Sequence, residues 1–108
     1  MKSLKPTKML FESPKVGSRV GAVLSADDEV VRLLGYGVRV EDSVPSSSVM
    51  GTTATDARNK QMKVPCLRLD DGGHVWGPEC FWAAEKGVRN WIGERRVLLV
   101  APRRSTRH

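Results

Sequence analysis

Residues 63–77, KVPCLRLDDGGHVWG, decide the fold. Two short apolar-alternating runs flank Asp70-Asp71-Gly72-Gly73, and tight hairpin turns favour Asp and Gly because they need positive φ and local side-chain hydrogen bonds. The stretch therefore predicts a β-hairpin. Its register is open between pairing Leu69 with His74 and pairing Leu69 with Trp76. Either register puts Leu67, Leu69, His74 and Trp76 on one face and Val64, Cys66, Arg68 and Val75 on the other.

Downstream of the hairpin the period changes. Phe81, Ala84, Val88 and Trp91 recur at spacings of three, four and three, a helical stripe that Pro78 and Glu79 would open and Gly93 would close. Trp82 falls off that stripe and is expected at the surface. RRVLLVA, residues 95–101, reads as a last strand ended by Pro102. Upstream, Val16, Ser18, Val20, Ala22 and Leu24 alternate as one buried strand face, and SADDE at 25–29 supplies a turn. The return run VVRLLGYGVRV, 30–40, places Val30, Arg32, Leu34, Tyr36, Val38 and Val40 on one face. Gly35 and Gly37 on the other face mark a bulge or a close backbone approach. Residues 41–62 lose the alternation and read as a long loop, with TDARNKQ forming one or two helical turns capped by Thr55.

Together these predict a mainly β domain, a small SH3-like β-barrel of about five strands with one short helix before the last. The alternative is an open α+β sheet. A chain of 108 residues holds one domain. It is expected over 16–101, with a basic N-terminal arm at 1–15 and a basic C-terminal tail at 102–108.

The net charge of +6 is concentrated at the two ends. Residues 1–15 carry +3 and residues 95–108 carry +5, leaving −2 for 16–94. Lys5, Lys8, Arg95, Arg96, Arg103 and Arg104 are accordingly candidate phosphate contacts. They serve equally as solvated ends of a small domain. No apolar run approaches the ~18 residues of a membrane span. Two cysteines without a secretory leader suit reduced thiols and a cytoplasmic location.

The chemistry-bearing residues do not form a recognisable catalytic or metal-ligating pattern. Cys66 and Cys80 lie thirteen residues apart, unlike the close ligand pairs of structural zinc sites, and the expected hairpin turns His74 away from Cys66. The acids at 27–29 and 70–71 sit in turns, where Asp and Glu are common for local reasons. No metal, no cofactor and no enzyme activity are expected. The aromatic residues are the remaining signal, because Tyr36, Trp76, Phe81, Trp82 and Trp91 exceed what a thin core holds. Tyr36, Trp76, Glu79 and Trp82 are the candidate partner-binding residues, on a rim that docks onto a larger protein complex. The alternative is nucleic-acid binding through basic arms and stacked rings. An exposed strand edge or Trp82 suits a homodimer as well.

ESPKVGSRVGAVLSADDEVVRLLGYGV, residues 12–38, and RLDDGGHVWGPECFW, residues 68–82, resemble a group of small uncharacterised proteins of phages and other mobile elements. Val16–Val38 with its GYGV strand and Leu69–Trp82 with its LDDGG–VWG hairpin carry the resemblance, about a third of the chain. The resemblance supplies no catalytic residues. It implies an accessory protein that binds and modulates a larger host or viral machine, such as a defence complex.

Overall fold

A computed structural model describes residues 14–46 and 49–101. Six strands and two helices follow in the order β1 Arg19–Ala26, β2 Val30–Ser43, α1 Gly51–Asn59, β3 Val64–Leu69, β4 His74–Trp76, β5 Phe81–Ala84, α2 Glu85–Ile92 and β6 Arg96–Leu99. A 3-10 turn at Gly77–Glu79 joins β4 to β5. The protein is mainly β, with a short helix before the last strand.

The strand order is β4-β3-β2-β1-β5, with antiparallel neighbours throughout. β6 joins as a parallel partner of β2, setting Val30–Leu33 beside Arg96–Leu99. β2 is thus the spine of the sheet. One of its edges carries β1, while the other carries β6 first and β3 after the strand has bent. The bend lies at Gly35, whose φ of +147° disfavours other residues, and Leu34 is the extra residue of a bulge facing β1. Two positions on, Gly37 lets β3 approach closely, since a Cβ there would lie 1.9 Å from the Arg68 carbonyl oxygen.

The bend curls the sheet without closing it. Val20, Ala22, Leu34, Leu67, Leu69 and Val75 form a buried cluster made of sheet residues alone, so the concave face wraps around its own side chains. The sheet is not closed: β4 and β5 end its pairing path. The convex face carries the helices. Val88 and Ile92 of α2 pack with Val23, Val31, Leu33 and Ala83, and Ala57 of α1 packs with Val64, Cys66 and Trp76.

Three local expectations are corrected. The hairpin adopts neither expected register. It pairs Arg68 with His74, Leu67 with Val75 and Cys66 with Trp76. The face shared by Cys66 and Trp76 therefore also holds Arg68 and His74, while Leu67, Leu69 and Val75 turn inward. Residues 81–84 form a strand, and α2 begins only at Glu85, because β1 captures Phe81–Ala84 by backbone pairing to Val20–Val23. The region read as a loop contains the end of β2 and α1. That helix starts at Gly51, and the Thr55 hydroxyl donates to the Gly51 carbonyl inside the helix and does not cap it. Asp27 does form the expected β1–β2 turn, accepting the amides of Glu29 and Val30 at 2.8 Å.

Candidate functional site

Directly paired residues share a sheet face, so the registers define rows across the convex surface. Ala83, Gly21 and Tyr36 form one row, Arg19, Val38, Arg68 and His74 the next, and Val40, Cys66 and Trp76 the third. α2 covers the first row. A Cβ on Gly21 would lie 2.9 Å from the Tyr36 ring and 3.0 Å from Val88, so glycine makes room for both. α1 covers the third row. The middle row, from Arg19 through Val38 and Arg68 to His74, lies between the helices and is the strip of sheet that neither covers.

The strip is cross-linked. Arg19 donates from Nη1 and Nη2 to the two Asp70 oxygens at 2.8 and 2.7 Å, and from Nε to Glu85 at 2.9 Å. The other Glu85 oxygen accepts from Arg89 Nε and Nη2 at 2.8 and 2.6 Å. The Arg89 guanidinium in turn stacks over Tyr36 at 4.0 Å. Asp70 is held below the usual carboxylate range by the Arg19 hydrogen bonds, and Glu85 is held down by Arg19 and then Arg89. Arg19 is shifted upward in return, and burial pushes the Tyr36 hydroxyl up against the opposing charge of Arg89. Exposed pairs add little stability singly, whereas this linked set fixes side chains from β1, β2, α2 and the β3–β4 turn in one arrangement. Arg68 has no partner among the described residues. Beside it a cleft of about 550 Å³ is lined by Arg68, Gly73, His74 and Trp76, and one of about 400 Å³ opens near Lys86 at the other end.

The residues singled out from sequence fare differently. Tyr36 lies on the strip, with one ring face taken by Arg89. Trp76 is 5% exposed and packs beneath α1, so it is core and not rim. Glu79 is buried at 7% exposure, and its carboxylate accepts the backbone amides of Trp76 at 2.8 Å and Met50 at 2.7 Å. It braces the 3-10 turn against the start of α1, which leaves it unsuited to meet a partner. Trp82 is half-buried against the concave cluster, with Arg39 over its ring at 5.5 Å, while Phe81 is 39% exposed, reversing their expected order. Arg95 stacks on Trp91 and donates to the carbonyls of Trp91, Ile92 and Asp27, closing the end of α2 rather than offering itself to phosphate. Arg96 is exposed at the start of β6. Lys5, Lys8, Arg103 and Arg104 lie outside the described residues.

Cys66 and His74, expected on opposite faces, share one. Among the described residues no three His, Cys, Asp or Glu side chains are grouped to hold a metal ion, and no helix is long and apolar enough to cross a membrane. Sequence reasoning missed Arg19, Arg68, Arg89, Asp70 and Glu85 as a group. Only the register brings them together, and single charged residues on strands carry no such signal. No protein-family model, curated protein or solved structure matches the chain. The fold and the strip therefore define it as a curled, helix-backed β domain with a preorganised polar face.

Proposed function

We propose that the protein is a non-enzymatic docking module that uses the strip between α1 and α2 to bind a larger protein complex and modulate it. The observation that carries this reading is the Asp70–Arg19–Glu85–Arg89–Tyr36 chain, which presents Arg and Tyr, the residue types that dominate protein interfaces, in a fixed arrangement. The interleaved acids favour a protein surface of mixed charge over a polyanion. The guanidiniums already stacked on Tyr36, Trp82 and Trp91 likewise weigh against base stacking. The buried carboxylate, Glu79, spends both oxygens on backbone donors, which supports a structural role for it. The mobile-element resemblance suggests a host complex, such as a defence complex, as the target.

A photo-crosslinking side chain placed at Arg68, and in a second preparation at exposed Asp28, tests the site in nuclease-treated host lysate. One discrete adduct from position 68 only, lost when Arg89→Glu is added, is the expected outcome. Equal labelling from both positions would count against the strip. Tight binding of labelled DNA or RNA that weakens by orders of magnitude between about 50 and 200 mM salt would favour the nucleic-acid reading instead.

A further inference from the structure

Among the described residues the longest exposed apolar run is at β6. Val97, Leu98 and Leu99 are 40%, 41% and 76% exposed, and they occupy an edge of the sheet. The amides of Arg96 and Val100 donate toward β2, to the carbonyls of Glu29 and Leu33 at 2.9 Å. By the alternation of a strand, the N–H and C=O groups of Val97 and Leu99 point away from the sheet. Edge strands are commonly guarded by a charge, a proline or a bulge, and Val97–Val100 has none of these. An apolar cleft of about 550 Å³, lined by Leu34, Leu69, Leu99 and Val100, opens at the end of the same strand.

We propose that this edge pairs with the same edge of a second copy, β6 against β6, antiparallel about a two-fold axis. The charges at the strand's two ends select this occupant. Exposed Arg96 stands at the start of β6, and neither Glu29 nor Glu94 forms an ion pair with it. At the other end Asp71 lines the cleft with Leu99, Val100 and Ala101, whereas neighbouring Asp70 is tied to Arg19. Arg96 thus stands at one end, and at the other stands the Asp71 carboxylate, whose Oδ1 accepts the Gly73 amide at 2.8 Å but which forms no ion pair among the described residues. Antiparallel pairing with Val97 opposite the second copy's Leu99 lets their outward groups exchange hydrogen bonds twice. It brings Leu98 against its counterpart on the axis and sets each Arg96 at the Asp71 end of the other copy. Parallel pairing would set Arg96 against Arg96. The contact is small for an interface, so a weak dimer, in the micromolar range, is expected.

Sedimentation of the full chain over about 1–500 μM tests this. The wild type should shift from monomer to dimer. Leu99→Pro removes an outward N–H without touching the β6–β2 ladder and should weaken the dimer about tenfold or more. Arg96→Glu and Asp71→Lys should each be monomeric alone, because each sets like charges together. An equimolar mixture of the two should restore association, since every cross-copy pair is then of opposite sign. A wild type that stays monomeric across the range overturns the proposal. So does a dimer indifferent to these substitutions, or a mixture that fails to associate.

Discussion

At the residue scale, two glycines in β2 decide how the sheet is shaped, and they do so for different reasons. Gly35 is needed for its φ of +147°, at which an L side chain is strained. Gly37 is needed for space. A methyl group there would meet the backbone of Arg68, which cannot move aside without separating β2 from β3. Gly37→Ala should therefore cost about 3 kcal/mol or more in chemical denaturation. Gly73→Ala is the contrast, because its Cβ would meet only an Asp71 side-chain oxygen at 3.3 Å, and it should stay within about 1 kcal/mol of wild type. An equal loss at both positions would show that the close approach of β3 is not what Gly37 serves. The sequence marks both glycines as places of bend or close approach, and that much is legible. It does not show that the bulge at Leu34 reverses the alternation. Leu34 and Tyr36, expected on one face, belong to the concave and convex clusters respectively.

At the element scale, what was legible and what was not divide along local and non-local lines. The hairpin turn, the β1–β2 turn and the cap at Gly93, with its φ of +61°, follow from residues a few positions apart. The boundary between β5 and α2 does not. Phe81–Ala84 has the spacing of a helix, but the unpaired edge of β1 offers a ladder that local preference cannot match. The hairpin register is likewise set by β2, which fixes Leu67 opposite Arg39 and Leu69 opposite Gly37. The site inherits this division: Tyr36 stands out by residue type, whereas the four charged residues around it depend on pairing across β1, β3 and α2. Glu79 is the extreme case, a buried acid whose partners are Trp76 and the distant Met50. Glu79→Ala should cost about 3 kcal/mol, because one buried and one half-buried amide lose a charged acceptor. Amide exchange across Gly51–Asn59 should accelerate more than exchange in β1–β2. If α1 stayed as protected as before, Glu79 would not be what holds it.

At the scale of the whole molecule, the acids that are best paired govern the response to pH. Asp70 and Glu85 are held low by Arg19, and Asp27 by the amides of Glu29 and Val30. A carboxylate with a lowered folded-state pKa contributes stability that is present above its unfolded value, near 4, and lost as pH falls through the folded value. Stability should thus decline with acid below about pH 4. Arg19→Ala should flatten that decline by removing the main cause of two of the shifts. Denaturation midpoints measured between about pH 2 and 7 decide it. Parallel slopes for the two proteins would mean that Arg19 does not set the acid limb. The same variant should loosen the strip, since Arg19 joins the Asp70 side of the network to the Glu85 side.

β2 also imposes an order on biosynthesis. Its first half, Val30–Leu33, receives its parallel neighbour only when Arg96–Leu99 has been made. At about 5–20 residues per second, the intervening chain takes several seconds to emerge from a ribosome. During that interval an apolar edge of the central strand stands open, while β1, next to it in sequence, can already pair. The nascent chain is thus exposed to mispairing at Val30–Leu33 until Arg96–Leu99 has emerged, and a pause in translation just before residue 96 would prolong the exposure.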